Sequence, residues 1–162
     1  MPEIICDTSP IQYLHQIGHL SLLPDLAKKV ILPPAVVKEI ETGRNHGINL
    51  PDIELLNWIT IRSPESLAAL PLVKDLGPGE TQVLALALET TNAVVILDDF
   101  LARQVAQSLK INLIGTLGIL LNAKRVGLIP EVGPLLDKLQ ILRFRLDPET
   151  HSAVLKIAGE SI

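Results

Sequence analysis

Five short runs of β-forming residues punctuate the chain: residues 4–6 (IIC), 30–32 (VIL), 58–62 (WITIR), 93–97 (AVVIL) and 111–115 (INLIG). Segments of helical character lie between them. Strands joined in this way cannot pair as hairpins. Right-handed crossovers carry each one back over the sheet, so that neighbours pair in parallel. Such sheets are covered by helices on both faces, and their strands are apolar without alternation. AVVIL is a run of that kind. The expected fold class is therefore α/β, with a central parallel sheet.

The apolar material suits this. The chain is 48% hydrophobic and 20% charged over 162 residues, enough for a real core, and no break in composition divides residues 1–162 into more than one domain. The aromatics are Tyr13, Trp58, Phe100 and Phe144 alone, so the core must be Leu, Ile, Val and Ala. Cys6 is the single cysteine, which rules out an intrachain disulfide and a cysteine-based zinc cluster. His15, His19, His46 and His151 show no zinc-ligand spacing. No stretch approaches the roughly 20 apolar residues of a membrane span. No basic-then-apolar leader is visible, and a cytoplasmic protein is expected. Net charge is −4 and the sequence pI about 5.5, against wholesale electrostatic capture of nucleic acid. A local site remains open, especially one where bound cations neutralise clustered acids.

Helices are expected over 10–16 and 19–28, separated by Gly18, and from Pro34 to about residue 42, closed by Gly43. Residues 43–51 read as a mobile loop, suited to contacting substrate. A weak helix is expected over 64–71, then strong ones over 79–91 and 99–109, with Leu101, Val105 and Leu109 sharing one face of the latter. Thr116 is expected to cap the helix ending at Gly127. The tail reads as helix 131–139, an extended piece over 141–145, and helix 148–158.

The acids carry the chemistry. Pro10 prefers the first helical position, which makes Ser9 the natural cap and leaves Asp7 unneeded for capping. Asp7 directly follows an apolar strand, where ligands bind in open α/β sheets. Its bland reading is a turn acid. Asp98 and Asp99 follow the strongest strand, and one helix cap requires only one of them; Asp99 could also pair with Arg103 across one turn. Glu80 sits near the start of a buried helix, where the dipole favours an acid. Glu39 lies late in its helix, where the dipole opposes it, although Glu41 and Lys38 nearby allow a solvated face. Brought into one cleft, these carboxylates would repel one another and raise one another's pKa values. A divalent cation with oxygen ligands resolves that, and such a site activates water and stabilises charge on a phosphate.

At these residues the chain resembles the PIN-domain ribonucleases, and more closely relatives of the VapC-type toxins. The matching pieces are IICDTSP, LPPAVVKEI, GPGETQVLALAL, VVILDDFLARQVAQSLKI and LIGTLGILLNAKRVGLIP, which together span residues 4–130. The resemblance implies a three-layer α/β/α fold with strand order 3-2-1-4-5. It implies a Mg²⁺- or Mn²⁺-dependent endoribonuclease acting on single-stranded RNA, as the toxin of a toxin–antitoxin pair with a small antitoxin protein as partner; a homodimer is left open. Carried over, the catalytic set is Asp7, Glu39, Glu80 and Asp98, with Asp7, Glu80 and Asp98 on the metal and Ser9, Asp99 and Thr116 supporting them. Glu80 stands where many such nucleases carry Asp, and its longer side chain reaches a different metal position. Lys124, Arg125 and Arg103 are the nearest basic candidates for an RNA path.

Three rivals are weighed against this reading. The same fold could act through protein partners as a catalytically weak binding module, which a metal titration would separate from a nuclease. A phosphoaspartyl or response-regulator-like domain wants its acidic pair at the first strand, where this chain offers only DTS. A Rossmann dinucleotide site lacks its GxGxxG after the first strand.

Overall fold

The computed structural model describes residues 3–68, 70 and 75–160. Its sheet consists of β1 (Glu3–Cys6), β2 (Lys29–Leu32), β3 (Ile59–Ile61), β4 (Ala93–Ile96) and β5 (Leu113–Ile114), in the order β3-β2-β1-β4-β5. Every pairing is parallel; Ile5 lies opposite Ile31 on one side and Val95 on the other. Ile4, Ile5 and Cys6 are buried in succession, as are Val30, Ile31 and Leu32. Successive strand residues point to opposite faces, so both faces of the sheet are covered. The chain lays β2 and β3 on one side of β1, then crosses over to place β4 and β5 on the other. The switch point therefore falls between β1 and β4.

The helices are α1 (Thr8–Gln16), α2 (Leu22–Leu26), α3 (Pro34–Asn45), α4 (Pro78–Glu89), α5 (Phe100–Ser108), α6 (Thr116–Arg125), α7 (Gly133–Ile141) and α8 (Pro148–Ile157), with a 3₁₀ turn at Ile53–Leu55. Helix α4 is buried at Val83, Leu84, Ala85 and Leu86 in succession. It lies against β1, β4 and α3, which is where a helix apolar on most faces must go. No helix among the described residues is long and apolar enough to cross a membrane.

Several boundaries differ from expectation. Helix α1 begins at Thr8, with Asp7 and not Ser9 in the capping position. The first four helical amides need no intrahelical partner, so Pro10 fits the third position as well as the first. Helix α3 runs through Gly43 to Asn45, and the left-handed glycine that follows it is Gly47, φ 84°. Gly43 is a packing site, since a Cβ there would meet Leu50 Cδ1 at 2.5 Å. Leu50 is buried, and Gln16 Nε2 donates to the Asn49 carbonyl at 3.0 Å. These contacts anchor the two ends of the segment, while residues 44–49 are exposed. Residues 64–68 and 70 contain no helix, while 69 and 71 of that expected helix lie outside the described residues. Helix α7 continues to Ile141, so the expected extended piece over 141–145 is replaced at its start by helix and turn, and residues 144–147 link irregularly to α8.

The far end of the chain is tied down by Glu160. It accepts the Val132 and Gly133 amides, each at 2.8 Å, and Lys124 Nζ at 2.8 Å. Partial burial pushes this carboxyl up, but the bonds from Lys124, Val132 and Gly133 outweigh it and bring the carboxyl down to about 2.

Candidate active site

Adjacency of β1 and β4 determines where the first two acids meet. Cys6 lies opposite Ile96, and the ladder extends one step further, because the Asp7 amide donates to the Ile96 carbonyl at 3.2 Å. Asp7 thus leaves the end of β1 beside the end of β4, where Leu97 and Asp98 follow. Its side chain is only 5% exposed. It occupies the capping position of α1 without making a side-chain cap bond.

Asp98 is aimed by Thr116. Its Oδ1 accepts the Thr116 amide at 2.9 Å and its Oδ2 accepts the Thr116 hydroxyl at 2.6 Å. Thr116 was expected as a helix cap, but Gly115 holds that position and Thr116 is the fully buried first residue of α6. Its hydroxyl proton goes to the Asp98 carboxylate, a strong acceptor. Asp99 provides the cap for α5, accepting the Ala102 amide at 3.0 Å. One cap needs one acid, which leaves Asp98 free for Thr116. Asp99 and Arg103 do not form the expected surface pair. Arg103 Nη1 turns inward to the Leu97 carbonyl at 2.9 Å. A Cβ on Gly115 would meet that Nη1 at 2.9 Å and Asp98 Oδ1 at 3.0 Å, so only glycine leaves room for both.

Glu80 is the third residue of α4. Its Oε2 reaches back to the Gly77 amide at 2.8 Å, the return half of a capping box, although residue 77 has no side chain to complete it. Glu39 lies mid-helix on α3, not late in it, because α3 is longer than expected. Both its oxygens are engaged: Oε2 accepts from Thr8 Oγ1 at 2.7 Å, and Oε1 accepts from the Gly79 amide at 3.0 Å. Glu39 therefore ties the start of α1 to the start of α4.

The electrostatics of these groups are linked. Burial pushes the Asp7 carboxyl up, the Thr8 amide pulls it back in part, and the charges of Glu80, Glu39 and Asp98 add to the rise, which reaches about 7. Burial also raises Glu80, against the Gly77 amide and with the help of Asp99. Asp98 is raised by burial, against the Thr116 bonds and the Arg103 charge. Burial and the Asp7 charge hold Cys6 as a neutral thiol.

Asp7, Ser9, Glu80, Asp98 and Asp99 line one open cleft of about 910 Å³. Thr116, which is buried, and Glu39, which is exposed, do not line it. The donors are hard carboxylate oxygens, with Asp7 buried, Glu80 and Asp98 half-buried and Asp99 exposed, a set that suits Mg²⁺ or Mn²⁺. Among the described residues no three of these acids close into a ready ligand shell.

Part of the lining was not expected from the sequence. Tyr13, Phe100, Arg103, Arg143, Phe144 and Arg145 also line the cleft. Of the basic residues expected on the RNA path, only Arg103 does so. Lys124 is held by Glu160 and the Ala158 carbonyl, at 2.8 and 2.6 Å, and Arg125 is exposed away from the cleft. The only local signal for Arg143 and Arg145 was an R-F-R triplet in the tail.

A family model described as PIN domain matches residues 3–160. A solved structure of a PilT N-terminus domain protein from the archaeon Sulfolobus solfataricus P2 is similar at 19% identity and a TM-score of 0.47, covering 74% of this chain and 90% of that one. No curated protein matches the chain.

Proposed function

The chain belongs to the PIN-domain family, and on that premise we propose that it is a metal-dependent endoribonuclease of single-stranded RNA, the toxin half of a toxin–antitoxin pair. PIN domains are in general metal-dependent nucleases. The observation that carries the reading here is the meeting of Asp7 and Asp98 at the switch point of a parallel sheet, with Glu80 in the same cleft. Carboxylates gathered so closely, each raised by burial, favour a cation.

Asp7, Glu80 and Asp98 would hold Mg²⁺ or Mn²⁺. When bound, the ion would neutralise the acids, activate water and take up charge developing on the phosphate. The chain's own residues prepare this. Thr116 fixes the rotamer of Asp98 and favours its ionised form. Glu39 acts as a positioning residue, holding the helix starts that carry Asp7 and Glu80 at a set separation. Arg103 adds a positive charge beside Asp98. Ser9 presents a hydroxyl to the cleft, and Asp99 adds negative charge near Glu80. A small antitoxin would oppose these acids with a basic side chain of its own.

One observation favours a second reading, a catalytically weak module acting through protein partners: Glu39 has both oxygens engaged, which leaves fewer free ligands. Cleavage of single-stranded RNA by wild type and Asp98→Asn, each with Mn²⁺ or with EDTA, separates the two. Cleavage that requires both Mn²⁺ and Asp98 supports the nuclease. Wild type that neither binds Mn²⁺ nor cleaves RNA supports the binding module.

A further inference from the structure

The cleft lining is basic and aromatic as well as acidic, and part of it comes from a segment far along the chain. Residues 142–147, between α7 and α8, bring Arg143, Phe144 and Arg145 to the cleft that Asp7, Glu80 and Asp98 line. Phe144 is fixed there by Tyr13, edge to face, with ring centroids 5.0 Å apart and planes at 86°. Tyr13 belongs to α1, the helix that Asp7 opens. The link is thus docked on the element that places the most buried acid.

Arg143 and Arg145 are exposed, and neither forms an ion pair or a side-chain hydrogen bond among the described residues. Arg143 holds the left-handed position just beyond α7, φ 65°, where glycine or asparagine is usual. Two free guanidinium groups beside a carboxylate cluster have a clear use when the ligand carries phosphates. The acids alone would repel such a ligand, and flanking arginines hold its backbone in place.

Phe100 supplies the other half of recognition. It is the first residue of α5, directly after Asp98 and Asp99, and it lines the cleft while 70% exposed. In a chain with only four aromatics, a ring left in water beside the acids is a free stacking face. A base within a duplex has both faces covered by its neighbours, and only an unpaired base can lie on that ring.

We infer that the cleft seats an unpaired nucleotide of an RNA strand, its base stacked on Phe100 and its flanking phosphates held by Arg143 and Arg145, so that the backbone runs past Asp7, Glu80 and Asp98. This rests on the nuclease reading and names the strand path within it.

The test measures binding of a labelled single-stranded RNA, and of its duplex, by the full chain carrying Asp98→Asn with Mn²⁺ present; cleavage is followed separately in the wild-type background. Phe100→Ala is expected to weaken single-strand binding roughly 5- to 100-fold, to leave duplex binding and the melting temperature unchanged, and to be rescued by Phe100→Trp. Arg143→Gly, which suits the left-handed backbone, combined with Arg145→Gln is expected to reduce the salt dependence of binding by a slope of about 0.7 per lost contact. Unchanged affinity in Phe100→Ala with an unchanged salt slope in the arginine pair overturns the inference; if the wild type still cleaves, the nuclease reading survives that result. A parent that shows no RNA binding also overturns it. The expected losses in a protein that never cleaves would support the strand path and remove the nuclease.

Discussion

Asp98 and Thr116 are joined twice, amide to Oδ1 at 2.9 Å and hydroxyl to Oδ2 at 2.6 Å, across the gap between the end of β4 and the start of α6. The pair converts a carboxylate at a flexible strand end into one with a fixed direction. It also opposes the burial that pushes the Asp98 carboxyl up.

Thr116→Val preserves shape and the amide bond but removes the hydroxyl. Asp98 Oδ2 then loses a charge-assisted bond worth about 1.5–3 kcal/mol, and its carboxyl titrates higher still. Losing a group that orients a metal ligand costs activity roughly 10- to 100-fold. The expected outcome is a cleavage rate reduced by that factor, with the acid limb of the pH–rate profile moved to higher pH, and near-normal behaviour in Thr116→Ser. A profile that falls without moving would mean that Thr116 acts only through packing.

Glu39 and Gly79 make a second test, in which the usual sign of a substitution reverses. Gly→Ala inside a helix ordinarily stabilises by roughly 0.5–1 kcal/mol. At Gly79 the new Cβ would meet Glu39 Oε1 at 2.5 Å and break the bond to the Gly79 amide. Gly79→Ala should therefore destabilise, by about 1–3 kcal/mol. Glu39→Gln keeps an acceptor for Gly79 and a polar partner for Thr8, and its melting temperature should remain near wild type. Glu39→Ala removes both bonds and should melt lower. Equal melting of the Gln and Ala variants would show that the tether contributes nothing.

The sheet was legible because its strands are short apolar runs divided by helical segments, a pattern set by burial on both faces. Strand order was not legible in that pattern; it came through the family resemblance. Local chemistry misled where a distant partner decides the outcome. Thr116 looks like a helix cap until Asp98, 18 residues away, claims its hydroxyl. Glu39 looks like a misplaced surface acid until Thr8 and Gly79, 31 and 40 residues away, bind its two oxygens. Arg143 and Arg145 were hidden altogether, because no periodicity links an irregular tail segment to a strand end earlier in the chain.

Glu80 separates charge from capping. Glu80→Gln keeps an oxygen for the Gly77 amide, so α4 should retain its start and the protein its stability. Glu80→Ala loses the bond and should cost about 1 kcal/mol. Both remove a negative charge that raises Asp7, so both should lower the Asp7 carboxyl toward its ordinary range. Both should also weaken Mn²⁺ binding. Calorimetric titration with Mn²⁺ beside thermal melts reads the two effects apart. Unaltered Mn²⁺ affinity in both variants would remove Glu80 from the metal.

Asp7 gives the sharpest dependence on pH. Its carboxyl lies near 7 when folded, against 3.8 for an ordinary aspartate, so over that interval the folded chain keeps a proton that the unfolded chain has released. The stability this provides is fully present below about 3.8 and is lost as pH rises through about 7, at up to about 1.4 kcal/mol per pH unit. Glu160 runs the opposite way: its carboxyl is lowered from 4.5 to about 2, and its contribution is present above 4.5 and lost as pH falls toward 2. The two windows barely overlap, so a melt series from pH 4.5 to 8 isolates the cleft. Without metal, wild type should lose stability across that series, while Asp7→Asn should lose less and equal or exceed wild type at the alkaline end. A divalent ion binds the folded, ionised cleft, so Mn²⁺ should restore wild type by about 2.7 kcal/mol at roughly 100 times its dissociation constant. That gain should grow with pH, as Asp7 gives up its proton, and should be largely absent from Asp7→Asn. A wild-type melt at pH 8 that Mn²⁺ does not move would mean that the carboxylates hold no cation, and that Asp7 is an acid buried for the fold alone.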